Sequence, residues 1–160
     1  MTRETDFEKQ RGVSRVEVRD GFAQVHVSRL AEPLMESRLA VLKSVADTNV
    51  SIDFLKLTPS GLSFLIAETQ GKEIEAALAS SGVHATTRPG RSIILVHAVN
   101  MRDDECLVAS IVHEVIASGS KVDHISDMHD RLLAVVHTAD APTIAKRLEQ
   151  NLITGEAPCE

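Results

Sequence analysis

The sequence predicts an α+β fold in which one β-α-β-β-α-β unit is written twice, with antiparallel sheets and helices on one face. Three observations carry this prediction. Strand-like alternation and helix-like three-four spacing follow each other in that order through the first half of the chain. The second half repeats the apolar pattern of the first at an offset of 70 positions. A strand-like stretch near the N-terminus has no partner inside the repeat.

Each element can be justified in turn. Ala23, Val25 and Val27 alternate with Gln24, His26 and Ser28, the period-two signature of a half-buried strand. Leu34, Met35, Leu39, Leu42, Val45 and Ala46 then follow helical spacing, with Pro33 where a first-turn proline is tolerated. Val50 to Leu55 reads as a second strand, Thr58-Pro59-Ser60-Gly61 as a turn, and Leu62 to Ala67 as a third strand. Gly71 to Ser81 is a second helix with Ile74, Ala77 and Leu78 inward; Gly82 stops it, and Val83 to Thr87 forms a short fourth strand.

An offset of 70 carries Val25 onto Leu95, Leu42 onto Val112, Ile52-Asp53 onto Val122-Asp123, Leu62 onto Leu132 and Ile74 onto Ile144. The arrangement is ferredoxin-like and tandem. The counterpart of the fourth strand, 153–157, holds Gly155 and is followed by Pro158, so it makes a poor strand. Val13 to Val18 is strand-like and supplies the missing edge. The first unit is therefore expected to be inserted in the second. The boundaries are a disordered leader over 1–11, a completing strand over 12–20, a first unit over 21–88, a second over 89–153 and a disordered tail over 154–160.

Composition narrows function. With four Phe and no Trp or Tyr, the chain lacks stacking platforms for single-stranded nucleic acid, and a net charge of −6 opposes phosphate. Nucleic acid is not an expected partner. No apolar run approaches the roughly 20 residues that cross a bilayer, and residues 1–10 lack the apolar core of a signal peptide. Cys106 and Cys159 make no disulfide framework, so a reducing, cytoplasmic setting is expected.

Gly12-Val13-Ser14-Arg15-Val16, then Ala23 to Val27, then Asn49 to Phe54 resemble the regulatory region of aspartokinases, where a "GVxxI" strand precedes an "AKVTV" strand and a "NIDM"-like strand follows the first helix. Ile94 to Arg102 is similar to the family's "VSIVGVGMRS" segment, and Val122 to Ser126 to its "NIxMISTS" strand. The resemblance spans about residues 12 to 152 and implies a pair of ACT domains, one inserted in the other. It further implies a side-by-side homodimer that binds lysine or threonine at the interface, and a possible catalytic partner subunit. Carried over, the effector site falls at Arg29, Leu30, Ala31, Glu32 and Pro33, with Ser51, Ile52 and Asp53 opposite. The second-unit equivalent is Asn100, Met101, Val122 and Asp123.

Such a site is physically reasonable, because a helix N-terminus suits a carboxylate and Asp53 suits an α-ammonium. Asp53 also reads simply as a polar group at a sheet edge. The loops depart from the family's "D-x-P-G" and "RSHxG" patterns: neither Arg29–Leu34 nor Arg102–Cys106 holds a glycine.

No catalytic element of the kinase is recognisable, and no phosphate-binding glycine loop occurs. Asp123, His124, Asp127, His129 and Asp130 match no metal-ligand spacing and read as a solvated turn, so no metal and no cofactor is expected. Cys106 lacks a nameable base and reads as a boundary residue. Two functions remain: a non-catalytic, amino-acid-binding regulatory module, or a ligand-free module for dimerisation or assembly with a partner enzyme.

Overall fold

The structure, a computed structural model, describes residues 12–101, 103, 104 and 106–153. The expected leader over 1–11, the tail over 154–160, and Arg102 and Glu105 of the acidic loop lie outside the described residues. Strands and helices follow in the order β1 (Gly12–Val27), α1 (Leu34–Ala46), β2 (Phe54–Thr58), β3 (Gly61–Ala67), α2 (Gly71–Ser80), β4 (Ala85–Val99), α3 (Leu107–Ala117), β5 (Val122–Asp127), β6 (Arg131–His137) and α4 (Ala141–Leu148). A 3₁₀ turn (Glu68–Gln70) leads into α2, and a π turn (Glu149–Ile153) follows α4. The chain divides into two compact units: Gly21–Arg91, and a flanking unit made of the residues up to Asp20 and from Ser92 onward.

In the 21–91 unit, β3 lies between β1 and β2 and is antiparallel to both. The register sets Val25 opposite Phe64 and Val27 opposite Leu62, and Leu55 and Leu57 face the same two residues from the other side. Directly opposed residues share a face, so β1, β2 and β3 all present these side chains toward the helices. Val41 and Val45 of α1 and Ile74 and Leu78 of α2 close this core. Gly61 is required where β3 begins: a Cβ there would lie 1.9 Å from the Val27 carbonyl oxygen.

In the flanking unit the strands run β1, β4, β6, β5. Ser14 Oγ donates to the His97 carbonyl and Ser92 Oγ meets Asp20 Oδ1, fixing β1 against β4. Ile94, Val96 and Ala98 of β4, Leu132, Ala134 and Val136 of β6, Ile111 and Val115 of α3, and Ile144 and Leu148 of α4 form the core, and Val13 joins it. The pairing of β5 with β6 is broken by a bulge between Val122 and His124.

The α+β architecture with antiparallel pairing and four α-helices among the described residues matches the sequence reading. Several details differ. The repeat is not gapless: Leu62, Ile66, Ile74 and Leu78 do map onto core residues 70 further on, but the core face of β1 (Ala23, Val25, Val27) maps onto Ile94, Val96 and Ala98, which is 71 further on. Leu30, packed on one core, likewise corresponds to Met101 in the other. The extra residue sits in the strand-to-helix loop of the 21–91 unit, between Leu30 and Val41, against Met101 and Ile111 in the other. A one-residue slip moves every side chain to the other face, so Leu95, equated with Val25 by sequence, lies on the opposite side of its sheet.

The two N-terminal strand patterns are one strand of 16 residues, running on through Gly21 at φ 87°. The short strand expected over Val83 to Thr87 continues through Pro89 and Gly90 as a 15-residue strand. Gly90 there adopts φ 66° and donates its N–H to Glu68 Oε2 at 3.0 Å. Val50 to Asp53 precede rather than form β2. In the flanking unit, Ile93, Leu95, Leu133 and Val135 on the sheet face away from the helices are buried as well.

Candidate functional site

The predicted effector loop links β1 to α1. Arg29 takes a left-handed backbone (φ 57°), and Leu30 donates its N–H to the Ser60 carbonyl at 3.0 Å while its side chain packs on the core. The start of α1 is already occupied. Glu32 Oε2 accepts the Leu34 N–H at 2.8 Å, and Ser37 Oγ donates to the Ala31 carbonyl at 2.7 Å. The position expected to receive a ligand carboxylate thus holds a carboxylate of the chain itself. One turn on, the Arg38 guanidinium donates to the Gly61 carbonyl at 3.0 Å and to the Thr58 carbonyl, tying α1 to the β2–β3 turn.

Across the predicted crevice, Ser51 and Asp53 are exposed and Ile52 packs partly on the core. Asp53 donates its N–H to the Leu65 carbonyl at 2.9 Å. Among the described residues, no hydrogen bond joins the side chains of Ser51 or Asp53 to the 29–33 loop, where Arg29, Ala31, Glu32 and Pro33 are exposed.

On α1 the structure departs from the sequence reading, which set Met35 and Leu39 in one apolar stripe with Leu42, Val45 and Ala46: the buried face is Val41 and Val45. Met35 and Leu39 on α1 are 60% and 65% exposed, and Leu55 and Leu57 on the edge strand β2 are 42% and 51% exposed. All four sit on the helix-bearing side of the 21–91 unit, where α1 lies against β3. These are four of the eight large exposed apolar residues among the described residues. The spacing reading joined Met35 and Leu39 to Val45 because α1 carries apolar residues on more than one face, and it left out Val41, which is buried.

In the flanking unit, Asn100 is left-handed (φ 53°), Met101 is fully buried, Val122 packs partly on the core and Asp123 sits at the β5 bulge. Met101 and Val122 belong to the same core. A cavity of about 310 Å³ opens at the end of β4, lined by Ser14, His97, Ala98, Val99, Asn100, His129 and Asp130. His97 Nε2 lies 3.2 Å from Glu17 Oε2 and 3.2 Å from Arg15 Nη2. Hydrogen bonds from Arg19 and His97, with the charges of Arg19 and Arg15, hold the Glu17 carboxyl below its ordinary range. The guanidinium of Arg131, at 2.9 and 3.1 Å, does the same for Asp130.

A second, wider groove of about 960 Å³ runs along α3, lined by Met101, Cys106, Val108, Val112, His113 and Ile116 among others. Cys106 is a free, exposed thiol at its edge. Among the described residues no group of three or more His, Cys, Asp or Glu is placed to hold a metal ion. No helix among the described residues is long and apolar enough to cross a membrane.

No protein-family model matches the chain, and no curated protein matches its sequence. Solved structures do. The ligand-free regulatory subunit of aspartate kinase from Thermus thermophilus superposes with a TM-score of 0.77 at 16% identity, covering 87% of this chain and 97% of that one. The fold is that of the aspartate kinase regulatory region. The regulatory subunit of aspartate kinase from Thermus flavus gives a TM-score of 0.75 at 18% identity, with coverage of 87% and 97%. Escherichia coli aspartokinase III in complex with lysine and aspartate gives 0.68 at 15% identity, covering 90% of this chain and 34% of that longer one. The aspartate kinase resemblance read from the strand sequences is thus met by the fold, and it is met in regulatory subunits.

Proposed function

We propose that this chain is a non-catalytic regulatory protein of two ACT-type, ferredoxin-like units, 21–88 inserted in 89–153 and completed by 12–20, and that it binds a small amino acid as a cytoplasmic homodimer. The observation that carries the reading is the pairing of the aspartate kinase regulatory fold with the apolar group Met35, Leu39, Leu55 and Leu57 beside the loop pair 29–33 and 51–53. Exposed apolar side chains clustered at a helix face and a sheet edge suit burial against another molecule. A second copy of the chain brings a matching patch in an isologous contact. An amino acid held at that contact engages Asp53 through its ammonium and the α1 N-terminus through its carboxylate. Lysine and aspartate accompany the Escherichia coli enzyme, so these and threonine head the list of ligands. A catalytic subunit is the natural target of such a module.

The test is a thermal-shift panel of the twenty free amino acids. A ligand that binds only the folded state raises the melting temperature by mass action, about 2.7 kcal/mol of stabilisation at a hundredfold excess over Kd. A dose-dependent rise for one amino acid, lost in Asp53→Ala, supports the reading; a flat panel at millimolar concentrations sinks it.

A further inference from the structure

His97 stands between Val96 and Ala98, both in the helix-facing core, so its side chain points to the other face of β4. There the side chain is only 18% exposed. Its Nε2 lies 3.2 Å from Glu17 Oε2 and 3.2 Å from Arg15 Nη2. A carboxylate oxygen accepts and a guanidinium donates, so one ring nitrogen cannot serve both at once. Carrying a proton, Nε2 serves Glu17; without one, it serves Arg15. The proton selects the partner.

The surrounding charges come from two elements. On β1, Glu17 Oε1 accepts from Arg19 Nε at 2.7 Å, and Oε2 accepts from Arg15 Nη2 at 3.3 Å. From β6 and the turn before it, Asp130 pairs with Arg131; Asp130 also feels the charge of His97, and Arg131 that of Glu17. His129 is a second imidazole nearby, lining one cavity with His97. Three guanidiniums thus face two carboxylates around the ring. Among the described residues, Glu17 is the one carboxylate in direct contact with it. That contact joins β1 to its neighbour β4. The other side-chain ties are Ser14 Oγ to the His97 carbonyl and Ser92 Oγ to Asp20.

We infer that His97 and Glu17 form a proton-controlled clasp on the first half of β1. The imidazolium donates to the ionised Glu17 carboxylate and holds residues 12–20 against β4. The neutral ring, with its remaining proton on Nδ1, turns the Nε2 lone pair to Arg15 and leaves Glu17 to the arginines. The clasp needs both charges. Hydrogen bonds from Arg19 and His97, with the charges of Arg19 and Arg15, hold the Glu17 carboxyl below its ordinary range, so it stays ionised in mild acid. Imidazoles exchange their proton at about pH 5–8. An ion pair that requires the imidazolium is present at the lower end of that window and lost as pH rises through it. The strand that completes the flanking unit is therefore held more tightly in mild acid than in mild alkali, whether or not an amino acid binds elsewhere.

The experiment is amide hydrogen exchange on the full chain, read by NMR as protection factors for residues 13–19 across about pH 5–8. The His97 Hε1 signal is followed in the same samples. Protection should fall about threefold or more as pH rises, with the midpoint of the Hε1 titration. Glu17→Gln should flatten this dependence and move the Hε1 midpoint to lower pH, because three guanidiniums then face Asp130 alone. His97→Gln, whose amide donates at every pH, should keep protection without the dependence. Ser14→Ala loosens the same strand through a bond that no ring proton controls, so it should lower protection alike at every pH and leave the dependence in place. Protection factors that stay flat in wild type overturn the clasp. So does a pH dependence that survives Glu17→Gln.

Discussion

At the residue scale, Glu32 shows how a plausible site is altered by one side chain. The sequence marks the α1 N-terminus as an anion site, since unpaired N–H groups and the helix dipole both favour negative charge there. Those same forces draw in the nearest carboxylate of the chain, and Glu32 takes the Leu34 N–H. Any effector carboxylate at this loop then competes with an internal one. Glu32→Gln is expected to tighten amino-acid binding at this loop severalfold in calorimetry, and to lower stability by about 0.5–1 kcal/mol through the weakened cap. Unchanged affinity would show that the ligand does not use this helix start. Gly61 offers a sharper test of packing. Alanine there drives a methyl group into the Val27 backbone, and backbone cannot move aside as a flexible side chain can. Gly61→Ala should cost about 1–3 kcal/mol or more in urea denaturation. Gly71→Ala, whose new methyl meets only Thr87 Cγ2 at 3.6 Å, should be close to neutral.

At the element scale, the sequence conveyed what alternation and helical spacing can convey. All four helices, the β2–β3 turn at Pro59 and Ser60, and the β5–β6 pair follow the expected order. What it could not convey was phase. Ile93-Ile94-Leu95-Val96 is apolar at every position because both faces of β4 are buried, and a run without alternation does not say which residues face the helices. That the loop before α3 is one residue shorter than the loop before α1 was therefore invisible. Strand continuity through Gly21 and through Pro89-Gly90 was equally hidden, because glycine and proline ordinarily mark turns. The candidate site was less legible than the fold, since it depends on which polar groups the chain satisfies by itself. The hold of α4 on α3 illustrates this. Glu114 on α3 accepts from Arg147 Nε at 2.6 Å and from Asn151 Nδ2 at 2.8 Å. Burial raises its pKa, but those two hydrogen bonds and the Arg147 charge outweigh burial, and the net shift is downward. A carboxylate with a depressed folded-state pKa lends stability that is present above its unfolded value, about 4.3 for Glu, and is lost as pH falls through the folded value. Wild type should therefore exceed Glu114→Gln in denaturant midpoint at neutral pH, with the gap closing in acid below that value. A gap independent of pH would place the effect in packing rather than charge.

For the molecule as a whole, the question is what covers its exposed apolar groups. A net charge of −6 favours solubility and slows close approach of copies at low salt. Association must then draw on local apolar burial rather than on overall attraction. The Met35, Leu39, Leu55 and Leu57 group is suited to this, because the nearby charges Glu36, Lys43 and Lys56 are of mixed sign and do not repel as a block. If that group forms the contact between copies, a single charge placed in it is desolvated without a partner on association, a penalty of several kcal/mol. Leu39→Glu and Leu55→Lys should each yield monomers in sedimentation velocity at concentrations where wild type is dimeric. Ile116→Lys, on the exposed α3 face, should leave the dimer intact. The three variants also separate assembly from ligand binding. A ligand held at the contact must lose affinity in the first two, in proportion to the loss of dimer. Dimers that persist in Leu39→Glu and Leu55→Lys would move the contact off this face and remove the main physical support for an effector site at residues 29–33 and 51–53.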